Sequence, residues 1–276
     1  MSVKELVERY CRTSKLPHIW CPGCGNGIIM GAVMRALDKA DIDQDKTVIV
    51  SGIGCSSRAP GYMNFDTLHT THGRALAYAT GVKMANPDLN VVVLTGDGDC
   101  SAIGGNHLIH AARRNINLTV VVFNNSIYGM TGGQYSPLTP THSYATTAPY
   151  GSIDRNFDLC KLVQAAGGTY VARGTTYHTR QLVDQIVAGL GHNGFSFIEV
   201  ITQCPMYFGR KNKFPSAVDM LKWQQEHAVP VKAAAKMTSE QLAGKFLIGE
   251  LYHEEAPEYT AVYEKEVIAK ARGEVK

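Results

Sequence analysis

The sequence predicts an α/β chain built on an open, mostly parallel sheet with helices on both faces, and three observations carry that reading. Residues Val91-Val-Val-Leu-Thr and Leu118-Thr-Val-Val-Val-Phe123 are near-continuous apolar, β-branched runs of strand length, the pattern of strands buried on both faces. Each run ends abruptly in polar residues, Gly96-Asp97-Gly98-Asp99 after the first and Asn124-Asn125 after the second. Between them, residues 105–115 carry helical spacing through Leu108, Ile109 and Ala112, so the unit reads strand–helix–strand. A right-handed crossover then brings both strand ends to one edge of the sheet. Asp97 and Asn125 are therefore expected to share one crevice.

The remaining elements follow in chain order. Residues 1–15 read as a short polar helix, and 17–27 as a loop rich in turn residues that contains Cys21-Pro-Gly-Cys24. Apolar spacing over 28–40 suits a helix, which puts the Cys-x-x-Cys at a helix entrance. A strand is expected at 47–50, followed by Gly52-Ile53-Gly54-Cys55-Ser56-Ser57-Arg58. Residues 72–84 form a helix rich in small residues, stopped by Asn86-Pro87. Residues 128–151 read as a long loop with four tyrosines, a length that points to function inside a compact domain. Helix 158–166, strand 169–172, helix 178–190 and strand 195–201 complete the alternation, which is that of a parallel sheet. Past Phe214 the composition shifts to Lys, Glu and Ala. We therefore divide the chain into a domain of residues 1–214 and an arm of residues 215–276, helical near 217–227 and 261–271, that packs on the domain or on a partner.

Composition narrows the function classes. A chain of 276 residues can bury a full core, and 45% hydrophobic with 18% charged residues is a globular balance. No apolar run approaches the roughly 20 residues that span a bilayer. The charged N-terminus lacks a hydrophobic signal region, so a cytoplasmic location is expected. A net charge of +3 with no basic stripe interleaved with aromatics argues against nucleic acid. Seven cysteines without an export signal suggest metal ligation or plain burial rather than disulfides.

Two constellations carry chemistry. Oxygen ligands from two strand ends suit Mg²⁺, and the glycines flanking Asp97 let a pyrophosphate approach the backbone. Cys21 and Cys24 come from the first loop, whereas Cys55 and Cys204 each follow a strand. Ligands of open α/β sheets bind outside the carboxyl ends of the strands, so all four thiols converge on the edge that holds Asp97 and Asn125. Four thiolates can close a tetrahedral zinc site or hold an iron–sulfur cluster, and spacing leaves both open. Cys11, Cys100 and Cys160 read as structural thiols.

At these residues the chain resembles a known family. Gly96-Asp97-Gly98 with Asn124-Asn125 looks like the thiamine-diphosphate motif. Trp20-Cys-Pro-Gly-Cys-Gly, Ile53-Gly-Cys-Ser-Ser, His72-Gly-Arg-Ala-Leu-Ala-Tyr-Ala-Thr-Gly-Val-Lys and Ile127-Tyr-Gly-Met-Thr-Gly-Gly-Gln are similar to the β subunit of 2-oxoacid:ferredoxin oxidoreductases. The similarity runs from about residue 11 to 230, with a weaker stretch at 244–260, and is greatest to the 2-oxoglutarate type. It implies a thiamine-diphosphate-binding (pyrophosphate-domain) fold. By that resemblance, Asp97, the Asn125 side chain and the Ile127 carbonyl hold Mg²⁺ against the diphosphate. Gly54, Cys55, His72, Gly96, Gly98, Asp99, Tyr128 and Gly129 contribute to the cofactor site, and Cys21, Cys24, Cys55 and Cys204 hold a [4Fe–4S] cluster. His72 is a candidate for contacting diphosphate or substrate, against a purely structural role at a helix entrance. Arg58 is a candidate cation for a substrate carboxylate, against a surface ion pair. Met130 is a candidate determinant of substrate size, against simple filler.

The family further implies oxidative decarboxylation of a 2-oxoacid, 2-oxoglutarate foremost, with coenzyme A and ferredoxin. It also implies an α subunit that supplies the pyrimidine-binding domain and the activating glutamate, in an (αβ)₂ assembly. No glutamate lies between Glu8 and Glu199, which agrees with an acid donated by another chain. Two other readings compete: a non-redox thiamine decarboxylase with a structural zinc, and a nucleotide-binding module with a zinc site. The latter lacks a Gly-x-Gly-x-x-Gly after any strand.

Overall fold

The computed structural model describes residues 2–274; residue 1 of the expected first helix and residues 275–276 of the expected arm lie outside them. Eight strands form one sheet in the order β2-β1-β3-β4-β6-β5-β8-β7. They are β1 (Thr47–Ser51), β2 (Asp66–His69), β3 (Asn90–Gly96), β4 (Leu118–Asn124), β5 (Tyr170–Thr175), β6 (Phe195–Ile201), β7 (Ala228–Pro230) and β8 (Phe246–His253). The six strands β1 to β6 run parallel, and β8 runs antiparallel to β5.

Alternation along the strands builds two cores. Ile49, Val92, Leu94, Val121 and Phe123 face one layer, made by α1 (Val3–Tyr10), α2 (Asn26–Lys39), the single turn α3 (Ala59–Tyr62) and, further along the sheet, α7 (Thr179–Gly191). Val50, Val91, Val93, Val120 and Val122 face the other, made by α4 (Ala75–Ala85), α5 (Gly105–Arg113) and α6 (Leu159–Ala165). A period of two thus serves both faces at once, and all seven residues of β4 are buried.

The strand order reverses at β1, whose successors β2 and β3 lie on its opposite sides. Such a switch point opens a crevice at the carboxyl ends of the strands, here between the loops that follow β1 and β3.

Three elements depart from expectation. Strand β2 was not anticipated, because Asp-Thr-Leu-His has no apolar run; it is a partly exposed edge of four residues. Strand β5 continues past Ala172 through Arg173, since Arg173 lies opposite Glu199 of β6 and pairs with it at 2.6 Å. The arm is not simply helical. Besides α8 (Ala217–His227) and the helical stretch Tyr259–Ala271, it contributes β7 and β8, and β8 covers the β5 edge of the sheet. Composition hid this strand because most of it is only partly buried, with Ile248 alone fully buried.

Candidate active site

The loops after β1, β3 and β4, together with the segment before α4, enclose a cavity of about 270 Å³. Gly54, Cys55, His72, Gly96, Asp97, Gly98, Asp99, Asn125, Ile127, Tyr128, Gly129 and Met130 all line it. Every residue expected at the cofactor therefore meets there, from four separate stretches of chain. Gly54 has φ +119° and open space where a Cβ would stand, so its backbone can lie against a ligand without obstruction.

Asp97 is 4% exposed and pairs with no cation among the described residues. Burial raises its carboxyl to about 7, against the lowering effect of a hydrogen bond from the Ser136 hydroxyl. A buried carboxylate without a counter-charge is costly, and a bound divalent cation would relieve that cost. Asn125 Oδ1 accepts the Ile127 N–H at 3.2 Å, which curls the chain after β4 through Ser126, at φ +61°. This turn brings Asn125 and Ile127 to the same cavity as Asp97. The donor set is hard oxygen, and it fits Mg²⁺ beside phosphate.

Asp99 holds the cavity's frame. Its Oδ1 accepts from Gly73 N at 2.7 Å and Ile53 N at 3.2 Å, and its Oδ2 from the Thr95 hydroxyl at 2.7 Å. One carboxylate thus ties the loop after β1 and the segment before α4 to β3. His72 Nδ1 stands 2.6 Å from the same carboxylate but outside hydrogen-bonding angles. The His72 side chain is 35% exposed, and its ring meets Tyr128 edge-on at 6.0 Å. Tyr128 in turn donates its hydroxyl to Gly98 O.

A second cavity of about 200 Å³ is lined by Cys21, Cys24, Cys55 and Cys204. The four thiols influence one another electrostatically. Burial foremost, then the neighbouring thiols, raises Cys24 to about 12 and Cys55 to about 11. A Cβ on Gly129 would lie 3.4 Å from Cys55 Sγ and 3.8 Å from Cys204 Sγ. Cys24, Cys55 and Cys204, whose thiols burial holds protonated, suit a metal or cluster that deprotonates them on binding. Trp20 Nε1–H donates to Cys55 O at 2.7 Å and so fixes the backbone at that cysteine.

The two cavities share a wall made of Cys55, Asn125, Gly129 and Met130. Met130 is 45% exposed and lies on both sides of it. Arg58 is the candidate that the fold keeps apart. It closes the turn Ser56–Arg58, is exposed, and lines neither cavity. The three remaining cysteines, Cys11, Cys100 and Cys160, are buried in the cores away from the thiol cavity. Sequence reasoning missed Ser136, whose loop folds back to reach Asp97, and the bracing role of Trp20.

The fold and the cavity define a thiamine-diphosphate enzyme. Residues 49–200 match the family model described as thiamine pyrophosphate enzyme, C-terminal TPP binding domain. The chain is 56% identical to the 2-oxoglutarate synthase subunit KorB of Methanothermobacter marburgensis, over 94% of its length and 91% of that protein. It is 53% identical to the subunit of the same name from Methanocaldococcus jannaschii, over 96% of its length and 98% of that protein. A solved structure described as 2-oxoglutarate:ferredoxin oxidoreductase from Magnetococcus marinus, with 2-oxoglutarate, coenzyme A and succinyl-CoA bound, superposes with a TM-score of 0.85 at 36% identity, covering 97% of this chain and 90% of that one. The chain belongs to the β subunits of the 2-oxoacid:ferredoxin oxidoreductase family.

Proposed function

We propose that this subunit works in the oxidative decarboxylation of 2-oxoglutarate with coenzyme A, yielding the acyl-CoA and CO₂ with electrons delivered to ferredoxin, or in the reverse carboxylation. The observation that carries the reading is the shared wall: a cavity fitted for a diphosphate and its metal touches a cavity of four thiols through a few residues. Bound in these two places, thiamine diphosphate would supply the electron sink for loss of CO₂, and a [4Fe–4S] cluster a one-electron relay.

The chain's own residues then take defined parts. Asp97, Asn125 Oδ1 and the Ile127 carbonyl would hold Mg²⁺, with Ser136 orienting Asp97. Gly54, Gly96 and Gly98 keep the backbone low enough for the diphosphate. His72, braced by the Asp99 frame, presents its imidazole to the cavity as a donor to an anionic group. Met130 narrows the passage and so bears on the size of oxoacid admitted. Cys21, Cys24, Cys55 and Cys204 would ligate the cluster. An α subunit supplies the pyrimidine-binding domain and its glutamate, in an (αβ)₂ assembly that acts in the cytoplasm.

The test is anaerobic copurification with the partner chain, followed by iron and sulfide analysis and turnover across a panel of 2-oxoacids. About four irons and four sulfides per subunit, with 2-oxoglutarate preferred, are expected. A colourless protein that holds one zinc and reduces no ferredoxin would refute the redox reading.

A further inference from the structure

The opposite end of the sheet carries a second group of metal-ligating side chains that the reaction does not use. His192, from the turn after α7, meets His253 and Glu255 of the arm, and one ligand atom from each lies within 4.8 Å of the others. His253 Nε2 and Glu255 Oε1 stand 3.3 Å apart. Two ligands on a tetrahedral ion with bonds of about 2.0–2.2 Å are separated by roughly 3.3–3.6 Å, so this pair already spans one edge of such a tetrahedron.

Hydrogen-bond accounting fixes the state of His192. The carbonyls of Ala256 and Pro257 can only accept, so the Asn115 amide nitrogen faces them. Asn115 Oδ1 therefore faces the other way, accepting from Phe195 N at 2.8 Å and from the Thr169 hydroxyl at 2.7 Å. Thr169 has spent its one proton, so at 2.7 Å it must accept from His192 Nε2–H. Neutral His192 is left with a free lone pair on Nδ1, which has no partner among the described residues. A histidine whose second nitrogen donates to a fixed, buried acceptor is the arrangement that orients metal-bound imidazoles. His192, Thr169 and Asn115 are 7%, 2% and 7% exposed.

The same pair of residues indexes the arm. Thr169 O accepts from Glu254 N at 2.8 Å, between the two arm ligands, and Asn115 grips the two residues that follow Glu255. The Glu250 carboxylate stands 3.9 Å from His253 Nδ1, a charge neighbour beyond hydrogen-bonding distance. One buried hydrogen-bond system thus orients the His192 ring and anchors the arm backbone on either side of Glu255.

We propose that His192, His253 and Glu255 form a binding site for a divalent ion of zinc type, with water as fourth ligand, that clips the arm strand β8 to the body of the sheet. Imidazole and carboxylate donors suit zinc over the hard cations. The site is independent of the cofactor chemistry proposed above.

The test uses the cluster-loaded complex under anaerobic conditions, titrated with Zn²⁺ alone and read by calorimetry and by zinc K-edge absorption, which distinguishes nitrogen and oxygen ligands from sulfur. One zinc per subunit is expected, with two imidazoles and no sulfur in its shell. Glu255→Gln should weaken it at least tenfold, and His253→Gln should abolish it, with iron content and turnover unchanged. Both residues are partly or largely exposed, so neither substitution threatens the fold as His192→Ala would. Zinc ligated by sulfur, or uptake indifferent to both substitutions, would overturn the proposal.

Discussion

At the scale of single residues, the proposed function separates residues that would bind cofactor from the groups that brace them. Serine at Cys21, Cys24, Cys55 or Cys204 is expected to strip the iron and bleach the protein, measured by visible absorbance and iron analysis. Serine at Cys160, which is buried in the core away from the thiol cavity, should leave the iron in place. Asp97→Asn removes the formal negative charge that would hold the Mg²⁺ offsetting the diphosphate, and thiamine-diphosphate affinity should fall by roughly a hundredfold while the iron stays. Ser136→Ala should act in the same direction but more mildly, about tenfold, the scale of lost outer partners. That these residues gather at two adjoining cavities was legible in the sequence, because each follows a strand or belongs to the Cys-x-x-Cys, and strand ends share an edge. Ser136 was not, because a loop that folds back carries no spacing signal. Arg58 misled for the converse reason: three residues from Cys55 along the chain, it ends on the outside of its own turn.

Among the elements, β5 and β6 show how a charge can extend a strand. Arg173 donates to Glu199 and to Asp158, both at 2.6 Å, and Asn124 donates to Glu199 at 2.8 Å. Replacing Arg173 by Met leaves Glu199 buried without its partner, at a cost of about 3–5 kcal/mol, measurable by denaturant unfolding. Burial pushes the Asp158 carboxyl up, but the Arg173 guanidinium together with the Lys161 N–H and its charge outweighs it, and the net direction is down. A carboxyl held below its unfolded value contributes stability that is complete above about 3.8 and is lost as pH falls through the lower folded value. Asp158→Asn should therefore flatten the acid limb of the stability curve while changing little in its shape at neutral pH. Sequence reading ended β5 at Ala172, since an arginine before a glycine looks like a turn until its partner on the next strand is known. It found β3, β4 and β6 readily, because strands buried on both faces have to be apolar throughout.

For the whole molecule, the structure accounts for the glutamates more fully than the sequence could. Glu199 is the one glutamate between Glu8 and the arm, and its carboxylate is committed to Arg173, Asn124 and the Cys160 thiol. No glutamate lines the cofactor cavity. This agrees with the proposed function, in which the acid that activates thiamine diphosphate is donated by another polypeptide. This chain alone, given Mg²⁺, thiamine diphosphate, coenzyme A and 2-oxoglutarate, is expected to show no turnover above background, and activity should appear on adding the α subunit. Efficient turnover by the isolated chain would contradict the subunit reading. The alternation of strands and helices revealed the sheet as a whole, whereas the arm's share in it stayed hidden because edge strands tolerate the polar composition of a tail.

That arm has a consequence for biosynthesis. The parallel strands β1 to β6 are all translated by Ile201, yet β8 that covers the β5 edge ends only at His253. During synthesis an unpaired strand edge is therefore presented to neighbouring nascent chains for the time it takes to make about fifty further residues, a known route to aggregation. Premature stop codons in this interval would release chains with an open sheet, and such products should appear in inclusion bodies rather than as inactive soluble subunits.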